Sequence, residues 1–418
     1  PQEKLSSLFE YYQNGQYGDA EKLAISITQE CPNHPLAWKA LGAILGQIGK
    51  KSEAIKAYQR VLQLVPQDAE SHNNLGIILK ELGRLGEAEA SLKQAIALKI
   101  DYAEAHSNLG NTLKELGRLE EAEASYRQAV VLKPDYARAH SNLGNTLKQL
   151  GRLDEAESSH RQAIVLKPDY AEPHNNLGVT LQKLGRLDEA EESCRQAIVL
   201  KPDFAEAHNN LGNALKELGR LEEAEASYRQ AVVLKPDYAR AHSNLGNTLK
   251  QLGRLDEAES SHRQAIVLKP DYAEPHNNLG VTLQKLGRLD EAEESCRQAI
   301  VLKPDFAEAH NNLGNALKEL GRLEESEASY TQAIKIKPDY AEAFYNLSFT
   351  HLLRGSLEKG FSFYESRLRK KELTVAPART NLIWDGEKSL SGKHFVIYEE
   401  QGLGDIIQFC RYMPLLEQ

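Results

Sequence analysis

Asparagine recurs through most of this sequence at a constant interval of 34 residues, in segments otherwise rich in helix formers. The first series comprises Asn74, Asn108, Asn142, Asn176, Asn210, Asn244, Asn278, Asn312 and Asn346. A second series lies three residues further on, at Asn111, Asn145, Asn213, Asn247 and Asn315, and is interrupted by Val179 and Val281. Because residues three apart share a helix face, both series predict a single row of carboxamides, which we name the asparagine ladder.

A carboxamide both donates and accepts hydrogen bonds, so a row of them can bracket the N–H and C=O groups of an extended peptide. Asparagine is a mediocre helix former, and helix propensity therefore does not account for the row. Two alternatives remain open: duplication has copied a neutral residue, or the amides bond between adjacent repeats. We favour a ligand-binding role because the row extends into the diverged repeats that begin at residues 69 and 341.

Lysine recurs three residues beyond the second asparagine series, at Lys114, Lys148, Lys216, Lys250 and Lys318. These lysines either flank the same groove or form a solvated face, and the sequence does not separate the two interpretations. The predicted binding site comprises the asparagine ladder and these lysines, and its expected ligand is a protein or an extended peptide.

The elements that position these side chains follow from the 34-residue period. Eleven repeats begin at residues 1, 35, 69, 103, 137, 171, 205, 239, 273, 307 and 341, without insertion. In the repeat from Ala103, taken as position 1, Leu109 and Leu113 mark the apolar face of a first helix, and Ala122 and Tyr126 that of a second. Gly117 is expected to end the first helix in a left-handed conformation.

Two further features concern helix ends and helix packing. In the repeat from residue 137, Asp154 and Glu157 have the spacing of a box that caps the second helix. Small residues such as Gly110, Ala122 and Ala129 are expected to let the paired helices approach closely.

The pattern resembles the tetratricopeptide repeat family, which has Leu-Gly at positions 7 and 8, alanine at 20 and 27, an aromatic residue at 24 and proline at 32. The resemblance spans residues 1–374 and implies an all-α, right-handed superhelix (an α-solenoid) of eleven helix pairs whose first helices line a concave groove. It predicts a degenerate N-terminal repeat or cap over 1–34, a regular array over 35–340, and a degenerate last repeat over 341–374. The ladder itself resembles the one in the repeats of O-linked N-acetylglucosamine transferases.

A longer periodicity overlies the repeat. Residues 113–223 recur letter for letter at 215–325, which indicates duplication of a three-repeat block. Any site built wholly within 113–223 therefore exists twice, which argues against a single catalytic centre there.

After Thr374 the composition changes, and residues 394–399 predict a strand, a turn at Gly402 and Gly404, and a helix from Ile406. This stretch resembles the start of heptosyltransferase-like glycosyltransferases, a domain that bacterial repeat proteins carry with a similar motif. The resemblance implies that residues 375–418 begin a glycosyltransferase-like domain that is truncated here, and that Asp405 is a catalytic base only in a complete parent protein. Because a lone strand exposes unpaired backbone groups, we also expect weak self-association through residues 375–418.

Composition excludes several classes of function. The net charge is −9 and no long basic run exists, which argues against nucleic acid. No apolar run is long enough to span a membrane. The four cysteines, Cys31, Cys194, Cys296 and Cys410, lack metal-ligand spacing, so we expect no metal, no disulfide framework and a cytoplasmic location. Because the chain begins at Pro1 and not at methionine, the sequence leaves open whether a targeting signal precedes it.

Together these features predict a non-enzymatic peptide-binding scaffold without a cofactor, the recruiting arm of a larger glycosyltransferase-like protein. The alternative is a stand-alone assembly scaffold or co-chaperone-like adaptor, in which residues 375–418 form a terminal cap.

Overall fold

The computed structural model describes residues 2–364, which form 22 α-helices and, within that range, no strand. The all-α fold predicted from the repeat is confirmed. The chain divides into two compact units, an N-terminal unit over Pro1–Gly253 and a C-terminal unit over Arg254–Gln418. The strand–turn–helix predicted over residues 375–418 lies outside the described residues.

The N-terminal unit contains fifteen helices, in which odd-numbered members are the first helices of repeats. They are α1 Gln2–Gln13, α2 Tyr17–Glu30, α3 Pro35–Gln47, α4 Lys51–Leu64, α5 Ala69–Glu81, α6 Leu85–Leu98, α7 Ala103–Glu115, α8 Leu119–Leu132, α9 Ala137–Gln149, α10 Leu153–Leu166, α11 Ala171–Lys183, α12 Leu187–Leu200, α13 Ala205–Glu217, α14 Leu221–Leu234 and α15 Ala239–Gln251.

The C-terminal unit begins with the second helix of a repeat and continues with three complete helix pairs. Its helices are α16 Leu255–Leu268, α17 Ala273–Lys285, α18 Leu289–Leu302, α19 Ala307–Glu319, α20 Leu323–Ile336, α21 Ala341–Leu353 and α22 Leu357–Tyr364.

A glycine turn joins the two helices of each repeat. Gly117 has φ of 76°, a left-handed conformation in which glycine avoids the Cβ clash of other residues. The N–H of Arg118 donates to the carbonyl oxygen of Leu113 at 2.9 Å and satisfies one of the last carbonyl groups of α7. The predicted end of the first helix is therefore confirmed.

The predicted capping box of Asp154 and Glu157 is wrong. Helix α10 begins at Leu153, its N-cap residue is Arg152, and no side chain caps it. Asp154 consequently lies inside the first turn, where its carboxylate still interacts favourably with the helix dipole. Glu157 binds the guanidinium groups of Arg161 and Arg186 instead, at 2.9 and 2.8 Å.

The two helices of a repeat approach closely because small residues face large ones. A Cβ atom built on Gly110 would lie 2.7 Å from a ring carbon of Tyr126, which is shorter than real contacts allow. Ala122, Tyr126 and Ala129 are fully buried against that site. This packing fixes the rotation of α7, so that positions 6, 9 and 12 of the repeat, off the leucine face, stay only half-buried.

Second helices of consecutive repeats are joined by closed rings of four charges. In one ring Arg127 binds Glu123 at 2.8 Å and Glu155 at 2.9 Å, and Arg152 binds the same two carboxylates at 2.7 and 2.6 Å. The N-terminal unit repeats the arrangement with Arg161, Glu157, Arg186 and Glu189, and with Arg195, Glu191, Arg220 and Glu223. The C-terminal unit has it with Arg263, Glu259, Arg288 and Glu291, and with Arg297, Glu293, Arg322 and Glu325. We name these the charge rings.

Candidate functional site

The ladder asparagines lie on the first helices, and each is half-buried. In α7, Asn108 and Asn111 are one turn apart and line a pocket of about 320 Å³ together with Lys114. The structure thus brings three predicted site residues into one cavity, which we name the α7 pocket. The positions 6, 9 and 12 of each repeat constitute what we call the first-helix surface.

Many ladder amides bond to a buried asparagine of the preceding repeat, at position 5. In the N-terminal unit, the Nδ2 groups of Asn108, Asn210 and Asn244 donate to the Oδ1 atoms of Asn73, Asn175 and Asn209, each at 2.9 Å. In the C-terminal unit, Asn312 donates to Asn277 at 2.9 Å and Asn346 to Asn311 at 3.0 Å. The alternative of amide bonding between adjacent repeats therefore describes part of the ladder's role.

Three members of the second asparagine series are hydrogen-bonded to the tyrosine at position 24 of their own repeat. The hydroxyl group of Tyr126 donates to Oδ1 of Asn111 at 2.7 Å, and Asn142 donates to the same oxygen at 3.1 Å. Tyr228 with Asn213 and Tyr330 with Asn315 reproduce the first bond at 2.7 and 2.6 Å. Each of these asparagine oxygens thus satisfies a tyrosine hydroxyl at the edge of the core.

The two interruptions of this series have a structural reason. The repeats that carry Val179 and Val281 have Cys194 and Cys296 in place of the tyrosine, and both thiols are buried. With no hydroxyl group to satisfy, an acceptor at position 9 is not required. The co-occurrence of Tyr with Asn, and of Cys with Val, was present in the sequence as a signal, although Asn145 and Asn247 occur with His160 and His262.

After these structural bonds are counted, some polar groups of the ladder have no partner among the described residues. Oδ1 of Asn111 already accepts two hydrogen bonds, whereas its Nδ2 group has no partner among the described residues. Asn108 donates through one Nδ2 proton, and its side-chain oxygen, Oδ1, has no partner within residues 2–364. The pair therefore retains a donor and an acceptor one turn apart, which are the two functions that a peptide group needs.

The position-12 lysines are half-buried. Burial lowers the pKa of Lys114 and of Lys216 below the usual lysine value, although neighbouring glutamates oppose the shift. Burial, followed by the charges of Lys183 and Lys114, lowers the pKa of Lys148 to about 8. Lys148 donates to Oδ1 of Asn145 at 3.2 Å. These ammonium groups are partly desolvated cations at the first-helix surface.

Comparison with known families concerns the repeats. A model described as TPR repeat matches residues 42–83, 78–117, 110–151, 144–185, 212–253, 246–287 and 314–355. The chain belongs to the tetratricopeptide repeat (TPR) family. Two further models, each described as tetratricopeptide repeat, match residues 171–204 and 273–306, and residues 193–226 and 295–328. These TPR matches end before residues 375–418.

One solved structure agrees with the TPR assignment at the level of the fold. The chain is similar to the structure described as the crystal structure of the APC/C hetero-tetramer Cut9–Hcn1, with a TM-score of 0.52 and 12% identity over 87% of this chain and 92% of that one. It also aligns with a structure from the functional characterisation of Pseudomonas aeruginosa pilF, with a TM-score of 0.45 and 21% identity over 50% of this chain and 94% of that one. A search of curated proteins gives no match. The first likeness supports the TPR solenoid fold and nothing finer.

Most histidines of the TPR units lie at position 4 or position 24 of the repeat. At position 4, Nε2 of His140 and of His208 lie 3.0 and 3.1 Å from the carbonyl oxygen of the preceding repeat's proline. His160 replaces the tyrosine of position 24, and neither ring nitrogen has a hydrogen-bond partner among the described residues. Burial, with a smaller contribution from Lys148, lowers the pKa of His160 to about 3, so the ring is neutral. No group of three metal-ligating side chains occurs within the described range.

Two remaining predictions bear on the rest of the TPR chain. Asp405, named as a base for a complete parent protein, lies outside the described residues. None of the described helices has the length and apolar character needed to cross a membrane.

Proposed function

We propose that the chain is a non-enzymatic scaffold that binds an extended polypeptide along the first-helix surface through the asparagine ladder. The observation that carries this proposal is the surplus of hydrogen-bonding groups after the structural bonds are counted. Asn111 retains its Nδ2 donor and Asn108 its Oδ1 acceptor, on one face of α7 and in one pocket. Peptide C=O and N–H groups complement that pair.

Recurrence of the position-9 Nδ2 donor explains how weak bonds add up to useful affinity, whereas Oδ1 of Asn210 already accepts from Asn209 at 3.3 Å. Each neutral hydrogen bond contributes about 0.5–1.5 kcal/mol net, and Asn213 with Tyr228 reproduces the geometry of Asn111 with Tyr126 in the same unit. A backbone-directed site makes little demand on ligand sequence. Because the ladder is uncharged, binding of a neutral peptide should respond little to salt.

The ladder also acts within the fold, and its two roles are compatible. Position-9 oxygens hold tyrosine hydroxyls and position-6 protons hold buried asparagine oxygens, so the amides are fixed before a ligand arrives. A side chain that is already oriented loses less rotational freedom on binding, which favours affinity.

Beyond this chain, we propose that the scaffold recruits partners for a larger glycosyltransferase-like protein. This rests on the resemblance of residues 399–418 to the start of such a domain, in which Asp405 would be the base. A stand-alone cytoplasmic adaptor, with residues 375–418 as a cap or as a site of weak self-association, is the second candidate. Sequencing the gene beyond Gln418 distinguishes the two.

The binding test uses substitutions that preserve the structural bonds. In the variant Asn111→Asp/Asn213→Asp, a carboxylate still accepts from Tyr126 and Tyr228, but both Nδ2 donors are gone. An uncharged, C-terminally amidated, unstructured peptide should bind the wild type, and the variant should lose about 1–3 kcal/mol for two hydrogen bonds.

The matched control is Gln149→Glu/Gln251→Glu. It adds the same charge at exposed ends of first helices, where the repeats from 103 and 205 already carry glutamate. The control should bind as the wild type does. Equal affinity of the aspartate variant and the control, or no binding of any extended peptide to the wild type, would contradict the proposed function.

A further inference from the structure

A group of lysines on three successive first helices has no carboxylate partner. Lys114 on α7, Lys148 on α9 and Lys183 on α11 form no ion pair within residues 2–364. They are near enough to one another that Lys114 and Lys183 both act electrostatically on Lys148. We name these three residues the lysine cluster.

The α7 pocket also contains more cations than it has free carboxylates to pair with them. Two carboxylates line it, but Glu115 already binds Lys80 at 2.8 Å and Glu81 already binds Lys51 at 3.0 Å. The other two cations that line it, Lys114 and Arg138, have no ion-pair partner among the described residues. After its internal ion pairs are counted, the pocket therefore carries an excess of positive charge beside the amides of the ladder.

Such an arrangement is unfavourable in the free protein. A partly buried cation loses hydration, and without an opposite charge nothing replaces it. The chain has no shortage of carboxylates, since Asp and Glu number 60 against 51 Lys and Arg. The half-buried lysines without an ion pair among the described residues, Lys114, Lys148 and Lys216, all lie at position 12, on the surface where the proposed ligand lies. This placement indicates that the ligand supplies the missing negative charge.

We propose that the bound polypeptide is acidic, and that aspartate or glutamate side chains of an extended segment bind Lys114 and Arg138 in the α7 pocket and Lys148 beside it. This inference rests on the proposed function, because the asparagine ladder is still required to hold the backbone of the same segment. The amides thus give affinity for any extended chain, and the lysine cluster selects among chains by charge.

Acidic peptide fits this surface better than a nucleic acid does. Glu81 and Glu115 line the same pocket as the unpaired cations, and a continuous phosphate backbone would pass close to both carboxylates. The chain as a whole is also negative, with a formal charge of −9. Isolated carboxylates on a flexible peptide can contact the cations and avoid the acids.

Proton linkage offers an independent readout. The groups that face Lys148 are Asn145 on its own helix, Lys114 on α7, Lys183 on α11 and His160 on α10, and none of them is anionic. A ligand carboxylate would supply the first negative charge there and raise the pKa of Lys148 from about 8. Binding at a pH near that value should therefore take up a proton, measurable by calorimetry in buffers of different ionisation enthalpy.

The experiment compares two C-terminally amidated, fluorescent peptides of equal length, one with regularly spaced glutamates and one with glutamine in their place. At low salt the wild type should bind the glutamate peptide at least about tenfold more tightly, because charge-assisted hydrogen bonds exceed neutral ones. The preference should shrink at high salt, where charges are screened. The variant Lys114→Met/Lys148→Met should lose both the preference and the proton uptake, so that it binds the two peptides with equal affinity.

The control variant Lys56→Met/Lys93→Met removes the same charge from second helices α4 and α6, and it should retain the preference. Equal affinity of the wild type for both peptides would overturn the acidic-ligand inference while leaving the proposed function intact. Binding of neither peptide would overturn both. Tighter binding of single-stranded RNA than of the glutamate peptide would overturn the inference in favour of phosphate recognition.

Discussion

The charge rings and the first-helix surface are built on the same repeat, yet they differ in how their polar groups are partnered. In the ring of Arg127, Glu123, Arg152 and Glu155, every charge has two opposite neighbours within 2.9 Å. On the first-helix surface, Lys114 has no ion-pair partner among the described residues, and Asn111 has a donor to spare. Both sets of helices join neighbouring repeats, but the charges of this ring are fully paired, whereas the first helices retain groups without a partner in the described range.

The comparison is sharpest within the ladder itself, where some amides are structural and others are not. Asn244 donates to Asn209 at 2.9 Å and to Asn213 at 3.2 Å, and Asn209 is fully buried. Asn244→Ala leaves a buried oxygen without its donor and should lower the free energy of unfolding by about 1–3 kcal/mol. Urea unfolding followed by circular dichroism measures the change.

The matched substitution is Asn176→Ala, because the side chain of Asn176 forms no hydrogen bond within the described residues. Its effect on the free energy of unfolding should stay within about 0.5 kcal/mol, as alanine is also the better helix former. Similar losses for both variants would contradict the division of the ladder into structural and free amides.

A smaller effect of opposite sign is expected from the lysine cluster. Lys148→Met replaces a desolvated cation by an apolar side chain of similar length and should raise the free energy of unfolding at pH 7 by about 1 kcal/mol. The folded-state pKa of Lys148, about 8, lies below that of an unfolded chain. From pH 8 upward the unfolded state binds more protons, so the wild type gains stability and the advantage of the variant shrinks.

The control for that prediction is Lys56→Met, which removes an exposed cation from a second helix. It should leave the free energy of unfolding at pH 7 nearly unchanged. Destabilisation by Lys148→Met at pH 7 would show that the lysine contributes to the free protein, and would weaken the contrast with the charge rings.

The smallest effect concerns the charge rings. Arg152→Gln opens one ring and should lower the free energy of unfolding only slightly, since these groups are solvent-accessible and each pair contributes little. Added salt should reduce the loss. Arg138→Gln makes the same substitution at a cation without an ion pair in the described range, and it should leave stability unchanged. Equal, salt-sensitive losses in both variants would contradict the distinction between the two surfaces.

Local features of the fold were predictable from the sequence because they depend on residues close in the chain. Gly117 and the leucine face of α7 follow from periodicity and backbone sterics alone. The capping box predicted at Asp154 was wrong because the spacing of two residues does not show which partners their side chains bind. Glu157 binds two arginines, one of them from another repeat.

The candidate site was only partly predictable, because its partners come from neighbouring repeats. Periodicity identified Asn108 and Asn111, but not that Asn73 and Tyr126 would occupy some of their hydrogen bonds. Likewise, the spacing of Lys114 did not reveal that the nearby Glu115 is bound to Lys80. Which groups remain for a ligand depends on these contacts between helices, and the sequence pattern does not encode them directly.

The central claim is that side-chain amides of the first helices bind the ligand backbone. The most direct measurement is nuclear magnetic resonance of the protein labelled with ¹⁵N-asparagine, which reports each Nδ2 group as an uncharged, amidated peptide is added. Signals that disappear in Asn111→Asp and Asn213→Asp identify those two side chains. We predict that they shift on titration, whereas the buried Asn209 Nδ2 group, which donates to Asn210 at 3.3 Å, does not. Binding that leaves the Asn111 and Asn213 amides unshifted would contradict the account.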